Sequence, residues 1–417
     1  MPIFNAPGFN VSDIFAGWFD RRQDVKTRLA RLSLPELIEA LMATASETQQ
    51  ATLARAVLLR YHHGDPDQHH AFFDYLLEHM DLDTDLLASA VDAYRETAEA
   101  APYATLMRAT EPRRKELFRR LAAVKGGAAC LVKIREDIRR DMRDKPALGR
   151  LDQDLHHLLS SWFNRGFLEL RAISWESPAH VLEKIIAYEA VHSIRDWDDL
   201  RRRLQPHDRR CYGFFHPRMP DDPIIFVEVA LTPEIPGSVD ALLSDSRELG
   251  DASALTTAAF YSISNCHAGL AGISFGNALI KRVVRDLSAE LPQIKTFVTL
   301  SPIPGLRRWN EAQDTPIDDV GRAAATYLAT AKREAGDPLD PVARFHLGNG
   351  AMLHAVHMDA NSSDAGQSQS YGAMVNYLYE PDRVDERSDR YTMEYGFDVG
   401  SKVQAHIPRQ TRRGKSA

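Results

Sequence analysis

Apolar residues recur three and four positions apart through the first part of the chain. In LVKIREDIRRDM, Leu131, Ile134, Ile138 and Met142 fall on one helical face, and charged residues cover the other. The same spacing predicts helices over Asp24–Ala43, Thr48–His62, Asp83–Ala98 and Pro112–Val124, joined by short turns such as HHGDPDQ. From about Val11 to Leu159 the pattern therefore predicts a helical bundle or layered helical domain, without a repeat clear enough for a solenoid.

Beyond DKPALGR the period shortens. FLELRAI, CYGFFH, PIIFVEVALT, AAFYSIS, TFVTLS, AMLHAVHM and AMVNYLY are rich in Val, Ile, Phe and Tyr and predict strands. PAHVLEKIIAYEAVH and NALIKRVVRDLSAEL predict helices between some of them. Strands mixed with helices, ending in a hairpin-like pair, imply an α/β or α+β domain. The expected organisation is an N-terminal all-α helical domain over 1–160, a natural assembly surface, and a C-terminal α/β (α+β) domain over 161–417. Glu380–Tyr395 is charged and turn-rich and reads as a mobile stretch, and RQTRRGKSA reads as a solvated basic end.

Composition narrows the partners. The 417 residues supply ample material for a core. A formal net charge of −7 argues against nucleic acid as the main partner. No apolar run is long enough to span a bilayer, so no membrane partner is expected. MPIFNAPGFN carries no visible secretory signal, and GKSA is not the peroxisomal Ser-Lys-Leu address. Cys130, Cys211 and Cys266 are odd in number and far apart, which fits a reducing compartment and neither a disulfide nor a zinc framework. These features point to a cytoplasmic protein. H-E-x-x-H and C-x-x-C do not occur. His354 and His357, three apart on a strand, tend to opposite faces, so no metal site is expected. His62–His63, His69–His70 and His156–His157 read as surface or packing residues.

The stretch from AAFYSIS to TFVTLS reads as strand, glycine-containing loop, amphipathic helix, strand. Gly269, Gly272 and Gly276 let the loop turn sharply and approach a ligand. Asn277 as N-cap would leave free N–H groups and a helix dipole suited to phosphate or pyrophosphate. The same glycines equally suit a turn that only packs helix on sheet. Ile280, Val283, Val284 and Leu287 form the buried stripe, while Lys281, Arg282 and Arg285 face an anion or solvent. GLAGISFG matches neither the dinucleotide fingerprint nor the P-loop.

Ser301 closes the strand TFVTLS and stands before Pro302, which restricts it to extended geometry. That fits a turn residue or a hydroxyl held still for chemistry, and no G-x-S-x-G elbow surrounds it. His346 in PVARFHLGNGAML fits a satisfied structural ring or a proton carrier. Spacing alone does not show whether the two meet.

The loop resembles the acyl-CoA pyrophosphate loop of the GNAT acyltransferase fold. The chain also resembles the malonyl-CoA decarboxylase family through FHPRMPDDPIIFVEVAL, FYSIS, GNALIKRVV, LSPIPG, RFHLGNGA and MVNYLYE, in that order over about 165–380. The helical half matches more weakly. The resemblance implies a GNAT-like C-terminal domain whose splayed strands admit the thioester. It implies conversion of malonyl-CoA to acetyl-CoA and CO2 through an enolate protonated at C2, without metal, biotin or other cofactor, by a homo-oligomer such as a tetramer. It maps the catalytic serine onto Ser301 and the catalytic histidine onto His346. His346 is then the proton donor to C2, with Ser301 orienting it and relaying the proton and no covalent intermediate. The malonyl-CoA-binding loop maps onto Ala271, Gly272, Ile273, Ser274, Phe275, Gly276 and Asn277, with Phe275 a candidate for the pocket wall. N-Y-x-Y puts Asn376, Tyr377 and Tyr379 near the site, with Tyr379 the helper. Some relatives carry a carboxylate at the position of Ser274; the serine here departs from that pattern, which weakens any role of the loop as an essential acid and leaves its backbone-mediated phosphate role untouched. The rival readings are a GNAT-type acyl-CoA N-acyltransferase, which needs an amine acceptor, and a non-catalytic acyl-CoA sensor.

Overall fold

The computed structural model of the chain describes residues 29–247, 249–273 and 276–407. They form two compact units. The first holds the described residues up to Asn164 together with Pro217–Met219 and His267–Ile273, and the second holds Arg165–His216, Pro220–Cys266 and the described residues after Ile273.

The first unit is helical: Leu34–Ala43, Glu47–His62, Pro66–His79, Thr84–Glu96, Ala100–Ala109, Arg113–Ala122, Gly127–Asp141 and Gly149–Trp162. Leu131, Ile134 and Ile138 are buried as their spacing predicts, packing in one core with Phe73, Leu76 and Phe118. Pro66–His79 begins inside HHGDPDQ, which the sequence pattern assigns to a turn. The Asp65 carboxylate accepts the Gln68 N–H at 2.8 Å, and the Gln68 side chain returns to the Asp65 N–H at 3.2 Å. With Pro66 in the first turn, the motif is a capping box that starts a helix.

The second unit is built on one sheet. Its strands are β1 (Glu169–Ile173), β2 (Arg209–Phe215), β3 (Ile225–Thr232), β4 (Thr257–Asn265), β5 (Thr296–Thr299), β6 (Ser301–Pro302), β7 (Met352–His357) and β8 (Met374–Tyr379). The order is β1-β2-β3-β4-β5-β8-β6, with β7 also paired to β8. Among these strands only β4 and β5 run parallel, and helix Gly276–Glu290 connects them, as a parallel pair requires. Ile280, Val283 and Leu287 of that helix are buried. Beyond Leu300 the chain keeps its register against β8, from Phe297 opposite Tyr379 to Ser301 opposite Val375.

Glu380–Tyr395 is not the mobile stretch its charge suggests. It forms a short turn, Pro381–Arg383, and the helix Val384–Glu394. Arg387 is buried there and holds both Glu380 and Asp398, so the charges are used internally. Among the described residues no helix is long and apolar enough to cross a membrane. No group of three or more His, Cys, Asp or Glu side chains among them is arranged to hold a metal ion.

Candidate active site

β4 and β5 stay paired from Thr257 opposite Thr296 to Phe260 opposite Thr299. The last bond between them is Leu300 N–H to Phe260 C=O at 2.9 Å. After it, Ser301 and Pro302 pair with β8, while β4 continues to Asn265 without that neighbour. A cavity of about 320 Å³ occupies this gap, lined by Ile263 and Asn265 from β4, by Ser301 and Pro302, and by Phe345 and His346.

His346 arrives on the helix Pro341–Gly348. Asp340 caps it, its Oδ1 accepting the N–H groups of Val342 and Ala343 at 2.9 Å each. Pro341 at the first helical position costs no hydrogen bond. This short, rigid start brings the ring 3.1 Å, Nε2 to Oγ, from Ser301, 45 residues back in the chain. On its other side Nδ1 lies 2.9 Å from the Tyr379 hydroxyl. The ring stacks on Tyr377, centroids 4.7 Å apart. Ser301, His346 and Tyr379 thus form one hydrogen-bonded chain, all three buried. Burial alone lowers the His346 pKa to about 3, and burial raises the Tyr379 phenol well above its ordinary value. The site at rest is a neutral imidazole between two neutral hydroxyls.

Asn376 sits behind the site, donating to the Thr299 carbonyl at 2.8 Å and pairing with the His357 ring. Ala271, Gly272 and Ile273 belong to the helical unit. There Gly269 packs so closely that a Cβ would stand 1.9 Å from the Val132 carbonyl oxygen, and Gly272 has φ +84°, which favours glycine. Ser274 and Phe275 lie outside the described residues. Gly276 opens the helix Gly276–Glu290, so Asn277 is within the helix and does not cap it. Lys281 pairs with Asp385 at 2.6 Å and Arg282 with Asp286 at 3.3 Å.

Two residues of the site escaped the sequence reading. Thr299 accepts the Ser301 O–H at 2.9 Å; its signal was the strand period, which puts 299 and 301 on one face. Asp340 was announced by Asp-Pro ahead of the His346 segment, a helix-start pattern.

Residues 166–320 and 310–417 match the family model described as malonyl-CoA decarboxylase C-terminal domain, and residues 81–163 match the N-terminal domain model of the same family. A solved malonyl-CoA decarboxylase from Rhodopseudomonas palustris is 46% identical, with a TM-score of 0.84 covering 89% of this chain and 98% of that one. One from Agrobacterium vitis is 40% identical, with a TM-score of 0.84 over 91% and 100%. Among curated proteins, "Malonyl-CoA decarboxylase, mitochondrial" from the goose Anser anser anser is 37% identical over 324 residues. That match spans 64% of this chain and 64% of the goose protein, just under two thirds of its length.

Proposed function

The chain belongs to the malonyl-CoA decarboxylase family, and on that premise we propose that it converts malonyl-CoA to acetyl-CoA and CO2. The observation that carries the reading is the Ser301–His346–Tyr379 hydrogen-bond chain at a cavity lined, among the described residues, by no charged side chain.

Decarboxylation breaks the bond between C2 and the carboxyl carbon. Its electron pair passes to C2 and the thioester carbonyl as an enolate, CO2 leaves, and C2 then takes a proton. A neutral, largely apolar cavity disfavours the carboxylate and favours CO2. The enolate oxygen needs donors. Ile263 lies on β4 beyond the last β5 pairing, and strand alternation turns its N–H toward the gap, which makes it the candidate.

His346 supplies the proton through Ser301. Its resting ring is neutral because nothing compensates the cost of a buried charge. A malonyl carboxylate bound beside it brings the missing negative charge and raises its proton affinity, so the ring takes up one proton from solvent as substrate binds. Loss of CO2 removes that charge again, which releases the proton to C2. Ser301 is not acylated in this scheme.

We propose a homo-oligomer on the same premise and, from the cysteine pattern, a reducing compartment such as the cytoplasm; light scattering and cell fractionation test these. Cys130, Cys211 and Cys266 are free thiols, which suits the second assignment. The activity is tested by incubating the protein with malonyl-CoA alone. Acetyl-CoA and CO2 in equal amounts are expected. Turnover only with an amine acceptor would support an N-acyltransferase, and CoA binding without any turnover would support a sensor.

A further inference from the structure

We propose that Thr299 is a positioning residue whose hydroxyl takes the resting Ser301 proton and thereby decides which nitrogen of His346 carries hydrogen. The proposal rests on the decarboxylase reading and specifies how its proton relay is aimed.

Ser301 has a single O–H. It is directed at Thr299 Oγ1, 2.9 Å away. Ser301 Oγ therefore meets His346 Nε2 as an acceptor, at 3.1 Å, and Nε2 must carry the hydrogen. A neutral imidazole has one N–H, so Nδ1 is bare and accepts the Tyr379 O–H at 2.9 Å. The whole chain then runs one way, from Tyr379 to His346 to Ser301 to Thr299.

Thr299 is built to stay put. It is fully buried. Its Oγ1 also accepts the Tyr377 N–H at 3.2 Å, so both acceptor positions are filled. Its carbonyl accepts Asn376 Nδ2 at 2.8 Å, and its backbone is in register with Phe260. Asn376 and Tyr377 thus act on the site through Thr299.

The direction matters because it decides which ring nitrogen is bare and takes up the proton when substrate binds. Without the Thr299 hydroxyl, the nearest acceptor for the Ser301 proton is Nε2 itself. The ring hydrogen then moves to Nδ1 and is donated to Tyr379. The imidazole would keep its position, but the proton that bound substrate draws onto the ring would have to enter at Nε2, from the cavity side, instead of at Nδ1 beside Tyr379. In serine proteases, losing control of the tautomer with geometry intact lowers kcat by about 10⁴-fold. A single neutral hydroxyl holding a short relay should matter less, on the order of 10- to 100-fold.

The experiment compares Thr299→Val, which keeps the shape, with Thr299→Ser, which keeps the hydroxyl. Two readouts are taken: CO2 release from malonyl-CoA, and the ring ¹⁵N resonances of His346 in ¹⁵N-histidine-labelled full-length protein, assigned by their loss in His346→Gln. Wild type and Thr299→Ser are expected to show protonated Nε2 and bare Nδ1, and Thr299→Val the reverse. Thr299→Val should lose kcat by the stated factor with KM within about twofold, and Thr299→Ser should recover most of it. Wild-type kcat in Thr299→Val, or protonated Nδ1 in the wild type, overturns the proposal. If Thr299→Val does not fold, the wild-type and Thr299→Ser tautomers decide alone. A wild type that releases no CO2 but shows the expected tautomer defeats the decarboxylase reading and leaves the role of Thr299 in setting the tautomer standing.

Discussion

Two buried polar clusters share the sheet of the second unit, and they handle charge in opposite ways. In one, Arg203 lies 3.2 Å from the Glu228 carboxylate and donates to the carbonyls of His192 and Ser193 at 2.8 and 3.1 Å. Next to it, Glu189 accepts the hydroxyls of Ser262 and Ser264 at 2.7 and 3.2 Å. Burial and the Glu189 carboxylate push the Glu228 pKa up, and Arg203 pulls against them. In the other, Ser301, His346 and Tyr379 carry no charge, and burial is the sole cause of the low His346 pKa. Arg203, Glu189 and Glu228 do not line the cavity, whereas Ser301 and His346 do. A buried charge already paired is committed to holding the fold. A buried titratable ring with no counter-charge, beside open space, can be changed by the charge a substrate brings. The first cluster serves the second only as support: Glu189 fixes the Val191 N–H at 2.8 Å, and Val191 lines the cavity.

The contrast is sharpest if the neutral cluster fails in rate and the charged one in stability. Ser301→Ala and His346→Ala should each lower kcat by about 10²- to 10⁴-fold with little change in CoA binding. Tyr379→Phe, which removes one hydrogen bond to Nδ1, should cost roughly 5- to 10-fold. Steady-state CO2 release measures all three. Full turnover in Ser301→Ala or His346→Ala would end the assignment of chemistry to this cluster.

Arg203→Met should do the reverse. It leaves the His192 and Ser193 carbonyls without their buried donor, while Glu228 answers by holding its proton, and should destabilise the fold by about 2–4 kcal/mol in urea unfolding. Turnover per folded molecule should hold near wild type. A large loss of kcat with unchanged stability would break the division between the clusters.

The smallest effect is a pH slope. His346 binds a proton near 6.5 when unfolded and only near about 3 when folded. The unfolded chain therefore holds more protons between those values, and stability rises with pH there. The contribution is complete above 6.5 and is lost as pH falls toward 3, by at most about 1.4 kcal/mol per pH unit. His346→Gln should flatten urea midpoints compared between pH 7 and pH 5, by roughly one proton's worth. His192, held down to about 4 by burial and Arg203, contributes a slope of the same sign that the substitution leaves in place. An unchanged slope in His346→Gln would mean that the ring is not neutral at rest.

The fold was legible where short-range pattern decides it. Every strand predicted in the second half has its counterpart, and the apolar stripe at Leu131, Ile134 and Ile138 is buried. Pattern reading failed where a side chain redirects the backbone. PAHVLEKIIAYEAVH ends as helix at Tyr188, because the Glu189 carboxylate takes the N–H groups of Val191 and His192 at 2.8 Å each. Charge along 380–395 suggested mobility, but a buried Arg387 turns that segment into ordered structure.

The chain's own pattern was enough for the two kinds of unit, the strand–loop–helix–strand order, and the candidates Ser301 and His346, because residue type and periods of two to four residues are displayed by a linear chain. Tyr379 became a candidate only through the family motif N-Y-x-Y. Only the tertiary structure decided that the candidates touch, since that needs the parting of β4 and β5 after Leu300 and the helix capped by Asp340. It also decided that the ring is neutral and that Thr299 receives the Ser301 proton. Proton affinity and hydrogen-bond direction depend on what surrounds a group in space, and residues 45 apart in the chain are neighbours only after folding.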